Sequence, residues 1–151
     1  MEREAIFKFM NDNPKFALAT SHNGQAHVRT ITLYRADANG IVFIIGKHKM
    51  VYQHLIANPS VELCFCSPEE NTQVRVRGNV RISGDIVLRN EIATDVPALK
   101  PWIMKQGDNG LAICLLENPK AKLWKMTEDY ATRITSTTAM SSVWLAMYNG
   151  E

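Results

Sequence analysis

The stretch from Ile41 to Pro59, IVFIIGKHKMVYQHLIANP, constrains the fold more than any other. Ile41 to Ile45 is an unbroken β-branched and aromatic run, so a strand here needs apolar cover on both faces. A basic loop, Gly46-Lys47-His48-Lys49, then leads into a helix that stops at Asn58-Pro59. The start of a helix leaves several backbone N–H groups unpaired. Ser, Thr, Asp or Asn normally caps them. This start offers Gly, two Lys and a His instead, a composition that suits a bound anion such as a phosphate. The plainer alternative is a solvated basic loop with water as the cap.

The flanking sequence reads as short strands and helices. Residues 2–11 have Ile6, Phe7 and Met10 at helical core spacing, and Asn11 to Pro14 end that helix. Phe16 to Thr20 is a first strand, and Asn23-Gly24 is the strongest hairpin signal in the chain. The second strand, from Gln25 to about Tyr34, is apolar in one phase at Ala26 and Val28 and in the other at Ile31 and Leu33. That predicts a bulge, or burial on different faces, with Arg29 at the change. A charged side chain beside core positions wants a specific partner, and an intramolecular carboxylate would serve.

Val61 to Cys66 is a fourth strand. The cleanest alternation follows: Val74, Val76, Val80 and Ile82 point one way, and Gln73, Arg75, Arg77, Asn79 and Arg81 the other. Solvent and carboxylate neighbours are the ordinary setting for such an arginine face. Asp85 is placed to cap a helix running to about Thr94. Pro97 and Pro101 bracket a shorter helical piece with Trp102, closed by Asp108-Asn109-Gly110. Leu111 to Leu116 is an apolar strand, Glu117 to Lys120 a turn, and Ala121 to Met126 a seventh strand. These signals predict a mainly β (α+β) fold: an antiparallel sheet closed as a barrel, with short flanking helices. Residues 1–126 make the domain. The tail, 127–151, has no steady period and is expected to pack on the barrel or on a partner subunit.

Composition narrows the function classes. A formal charge of +2 over 151 residues is too small to argue for nucleic acid but fits a small anionic ligand. No run approaches transmembrane length, so no membrane partner is expected. Three cysteines behind an N-terminus of Glu2, Arg3 and Glu4 predict a reducing cytoplasm and buried free thiols. Dinucleotide-binding, P-loop and nucleophile-elbow motifs are missing. His22 and His27 could face each other across the hairpin and hold a metal, but such residues are more often polar turn flanks.

HVRTITLY (27–34), FIIGKHKMVYQHLIANPSVELCF (43–65) and TQVRVRGNVRISGD (72–85) stand in an order and spacing that resembles the pyridoxamine 5′-phosphate oxidase-like family. The resemblance weakens but continues through the strand ICLLENPKAKLW (113–124). It implies an FMN-binding split barrel, a homodimer with FMN in a groove between subunits, and oxidoreductase chemistry on a small molecule. It further implies phosphate contacts from Arg29 and Lys49, with Lys47 or His48 as helpers. Thr30, Ile31 and Thr32 match the strand running along the isoalloxazine ring. Ile44 and Ile45 match the next strand's ring and phosphate contacts, although family members often carry Thr or Ser where Ile45 stands. Gln73 matches a flavin-contacting Gln. Trp124 or Trp102 could stack near the ring but matches no motif.

Two departures imply a substrate other than vitamin B6. Tyr34 replaces the family's substrate-contacting Lys, and the tail SSVWLAMYNGE lacks the substrate-closing arginines. Competing expectations are a haem-binding or deazaflavin-dependent split barrel, with His22, His27 or His48 as a haem ligand, and a non-enzymatic ligand-binding module. A module that binds nucleic acid through Arg75, Arg77 and Arg81 is disfavoured by the low net charge.

Overall fold

The computed structural model describes residues 3–105, 109–125 and 144–148. Strands β1 (Lys15–His22), β2 (Gln25–Asp37), β3 (Gly40–Gly46), β4 (Ser60–Ser67), β5 (Thr72–Ile82) and β6 (Leu111–Lys125) run in the order β3-β2-β1-β4-β5-β6. A β3–β6 pairing closes them into a six-stranded antiparallel barrel. A short β7 (Leu145–Ala146) adds to the second half of β6.

Alternation decides what fills the barrel. Phe16 and Leu18 on β1, Leu63 and Phe65 on β4, and Val74 and Val76 on β5 are buried and meet inside. The Phe16 ring lies 5.4 Å from Phe43 and 4.9 Å from Phe65. Each such side chain removed from water contributes roughly 1.5–3 kcal/mol. Helix α1 (Arg3–Asp12) buries Ile6, Phe7, Phe9 and Met10 against this core. Its Asn11 amide brackets Ala36, donating to its carbonyl at 2.7 Å and accepting from its N–H at 3.0 Å.

The outward side chains of β3 need different cover. Val42 and Ile44 pack with Ile113 beneath helix α3 (Ile86–Asp95) and α4 (Lys100–Ile103), chiefly through Leu88, Ile92, Ala93 and Ile103. The apolar Ile41–Ile45 run therefore has its two covered faces. Asp85 caps α3, its carboxylate accepting from the Val87 N–H at 2.9 Å.

Three expectations need correction. Glu117 to Lys120 is not a turn between strands. β6 runs unbroken from Leu111 to Lys125 and stays paired with β5, absorbing Asn118 and Pro119 as a bulge between the Arg77–Lys120 and Asn79–Glu117 pairs. Pro119 has no N–H to donate, so it is tolerated at this irregularity. The phase change placed at Arg29 is also absent. β1 and β2 stay in register from His22–Gln25 to Lys15–Thr32, and the irregularity falls between Leu33 and Arg35. Val28 simply faces outward, 69% exposed. Finally, of the expected buried thiols only Cys114 is fully buried. Cys64 and Cys66 share the outer face of β4, their sulfurs 3.7 Å apart, with Cys66 exposed.

The expected close of the α4 segment at Asp108, the strand end at Met126 and most of the tail lie outside the described residues. Within 144–148, Met147 is buried and the Tyr148 hydroxyl donates to the Asp37 carbonyl at 2.9 Å.

Candidate functional site

The site begins with the hairpin. Asn23 and Gly24 both take positive φ, 51° and 76°, the geometry of a tight two-residue connection. That turn fixes the register that sets Leu18 opposite Arg29 and Thr20 opposite His27. Cross-strand partners share a face, so Arg29 and His27 lie on the same side as Leu18 and Thr20, the barrel-interior side. Helix α2 (Met50–Ala57) covers this end and buries Val51, His54 and Leu55.

Arg29 is held there by neutral groups. Its Nη1 donates to the Leu18 carbonyl at 3.2 Å and to Thr20 Oγ1 at 2.7 Å. Its Nη2 donates to His54 Nδ1 at 3.0 Å. Thr20 Oγ1 is itself 3.1 Å from that Nδ1. The rings of His22 and His27 lie 4.7 and 4.3 Å from the His54 ring. An intramolecular carboxylate was one of the partners open to Arg29; among the described residues none pairs with it, and burial lowers its pKa from the ordinary arginine value. Burial first, then the positive forms of His27, His22 and Arg29, lowers the pKa of His54.

The start of α2 lacks a side-chain cap. Lys49 is the N-cap residue, in extended backbone, and makes no capping hydrogen bond. No acidic residue stands in the first turn. Lys47, His48 and Lys49 make no side-chain hydrogen bond or ion pair among the described residues. The backbone N–H of Lys47 is tied to the Gly110 carbonyl at 3.0 Å, which fixes the loop. One helix thus carries an uncapped positive end and, one turn on, the imidazole that holds Arg29. Uncompensated guanidinium, ammonium and helix-terminal N–H groups are the donor set of a phosphate site.

The remaining residues are placed as follows. Ile31 packs against the core, while Thr30 and Thr32 are exposed on the opposite face of β2. Ile44 packs outward under α3 and α4, and Ile45 is buried inside the barrel. Gln73 lies on the outer face of β5, between Cys66 and Trp124. It is three strands from β2, about 14 Å at ordinary strand spacing, and on the other side of the sheet from Arg29. One chain therefore gathers Arg29 with α2 but does not bring Gln73 to them.

Residues 3–98 match the family profile described as pyridoxamine 5′-phosphate oxidase. The chain belongs to the pyridoxamine 5′-phosphate oxidase family. A curated relative, the pyridoxine/pyridoxamine 5′-phosphate oxidase of Hyphomonas neptunium, is 37% identical over 71 residues, which is 46% of this chain and 32% of that protein. The chain thus aligns with about a third of that relative's length.

Solved structures share the fold at low identity. A NimC/NimA family protein from Clostridium acetobutylicum superposes with a TM-score of 0.68 at 20% identity, covering 82% of this chain and 88% of that one. A pyridoxamine 5′-phosphate oxidase-related, FMN-binding protein from Nostoc punctiforme gives 0.56 at 17%, covering 83% and 91%. A haem storage protein from Vibrio cholerae gives 0.62 at 13%, covering 81% and 92%. The same fold is thus found in an FMN-binding protein and in a haem storage protein.

Sequence reasoning missed Thr20 and His54. A signal for His54 exists in Val51-x-x-His54-Leu55, an i, i+3, i+4 apolar stripe with a histidine in it. His22 and His27 are not direct cross-strand partners, since His22 pairs with Gln25. Both converge on His54 instead. Among the described residues no three His, Cys, Asp or Glu side chains are grouped to hold a metal, and no helix is long and apolar enough to cross a membrane. The Tyr34 hydroxyl, with one hydrogen to donate, lies within hydrogen-bond distance of two carboxylates, Glu91 at 2.8 Å and Asp95. Burial and these carboxylates hold its pKa above the ordinary tyrosine value.

Proposed function

We propose that this protein binds FMN, with the phosphate received by Arg29 and the start of α2, and acts as an oxidoreductase on a small molecule other than vitamin B6. One observation carries the reading. Arg29 is a partly buried guanidinium whose three acceptors are all neutral, and a cation drawn out of water calls for an anion. Lys49 and the uncapped N–H groups of α2 supply the rest of a dianion's needs.

FMN supplies two-electron redox chemistry when bound. The chain's own part is to hold the phosphate, offer the β2 backbone at residues 30–32 and exclude water with the covered apolar β3. Tyr34, engaged with two carboxylates, is a poor substitute for the substrate-contacting lysine, which supports a different substrate.

The site is completed by a second copy of the chain. Gln73, matched to a flavin contact, lies on the outer sheet face away from Arg29, so a partner subunit is the source of that contact. Outward Val28, Thr30 and Thr32 supply an uncovered surface for it. Purified protein reconstituted with excess FMN and desalted is expected to keep the flavin absorption bands. A colourless protein after this treatment sinks the proposal.

The alternative is haem binding, favoured by the three imidazoles at one barrel end. His54 Nδ1 is already engaged by Arg29, which leaves His22 or His27 as the axial ligand. A Soret band on haem titration, lost on His22→Ala or His27→Ala, would move this reading ahead of FMN.

A further inference from the structure

The contact between Arg29 and His54 dictates a protonation state. Arginine only donates, so Nδ1 of His54 must present a lone pair to Nη2, 3.0 Å away. The proton of the neutral ring then sits on Nε2. His54 is only 3% exposed. The titratable and charged groups facing it are His22 from β1 and His27 and Arg29 from β2, with neutral Thr20 beside them. No carboxylate stands among them. A second proton on this ring would remove the acceptor and set an imidazolium against a guanidinium.

We infer that His54 is a positioning residue: its neutral imidazole holds the Arg29 guanidinium in place for an anion, and its protonation releases Arg29 and weakens anion binding. The effect on affinity rests on Arg29 being the phosphate ligand. The positioning contact itself does not. Burial and the surrounding positive groups favour the neutral ring, so the device acts on acidification.

Two measurements test this. In cofactor-free protein, nitrogen NMR of the imidazoles is expected to show His54 in the Nε2–H form at neutral pH. Arg29→Ala should raise the pH at which it titrates. An Nδ1–H form, or a titration indifferent to Arg29, overturns the inference.

The second measurement is FMN affinity against pH, read by quenching of flavin fluorescence, for the native chain and for His54→Gln. The phosphate of FMN titrates near pH 6 itself, as phosphomonoesters do, so the native profile alone mixes two effects. A glutamine amide can accept from Arg29 and does not titrate, so the ratio of the two dissociation constants cancels the ligand's share. The ratio is expected to hold steady above neutral pH and to move away from that value as the pH falls from 7.5 to 5, the native chain losing affinity relative to His54→Gln. A ratio constant across that range overturns the inference. Failure of both proteins to bind FMN refutes the phosphate reading instead, and the NMR result still decides the contact.

Discussion

Gly78 is where the β5–β6 bulge meets its tightest constraint, and replacing it with alanine tests that geometry. A Cβ at this position would lie 2.6 Å from the Glu117 carbonyl oxygen and 3.0 Å from Leu116 Cγ. Leu116 is buried and Glu117 is paired with Asn79 in the ladder, so neither atom can swing aside as a flexible surface chain would. Overpacking of this kind costs about 1–3 kcal/mol. The backbone of Gly78 is not left-handed, so alanine also gains about 0.4–1 kcal/mol by narrowing the unfolded ensemble. The net expectation for Gly78→Ala is a loss of about 1–2 kcal/mol. At about 2–4 °C per kcal/mol for a chain of this size, Tm falls by roughly 2–8 °C. Gly84 is the internal control. Nothing lies within 4 Å of its added Cβ and its φ is not positive, so Gly84→Ala should be neutral or stabilising by up to about 1 kcal/mol. Circular dichroism melts at one fixed protein concentration read both variants, because self-association makes Tm concentration-dependent. Gly78→Ala melting at or above the native chain would refute the steric reasoning, as would an equal loss in Gly84→Ala.

Three further predictions follow from the same structure. His54 has a lowered pKa, so as pH falls below the ordinary histidine value of about 6.5 the unfolded chain takes up the proton first. Stability present above that pH is lost as the pH drops toward the folded-state value, and His54→Gln should flatten this slope in urea titrations between pH 7 and pH 5. Thiol labelling should be ordered. Cys66, exposed, reacts first; Cys64, pushed up to about 12 by burial and by Cys66, lags; Cys114, buried and also pushed up to about 12, reacts only on unfolding. Labelling of Cys114 as fast as Cys66 in the native state would contradict the packing. Asp85→Ala removes the side-chain N-cap of α3 and should cost about 1 kcal/mol in a denaturant melt.

Much of the fold was legible where local chemistry and tertiary demand agree. The two faces of β5 differ so sharply that its inward and outward side chains could be read directly, and Arg75 and Arg81 do meet carboxylates, those of Glu62 and Glu117. Asn23-Gly24 and Asp85 act through their own backbone neighbourhood, so they could be placed without the rest of the chain. Asn118-Pro119 carries turn chemistry, with Asn118 at φ 51°, yet pairing with β5 on both sides overrides it and leaves a bulge. Val28 misled because an apolar side chain on a strand does not say which face is covered. The proposed phosphate ligands could be named from the family resemblance, but their support could not. Thr20 reaches Arg29 across the β1–β2 hairpin, nine residues away in sequence, whereas His54 meets them only because α2 folds over that hairpin, 25 residues from Arg29 and 34 from Thr20.

The central claim is that a phosphate group is what Arg29 and the start of α2 receive. Titration with FMN and with riboflavin in phosphate-free buffer, read by flavin fluorescence quenching, tests it most directly. Charge-assisted hydrogen bonds are worth about 1.5–3 kcal/mol each, so two of them predict FMN binding at least about a hundredfold tighter than riboflavin. Arg29→Ala combined with Lys49→Ala should abolish that advantage. Equal affinity for the two flavins, or an advantage that survives the double substitution, would contradict the account.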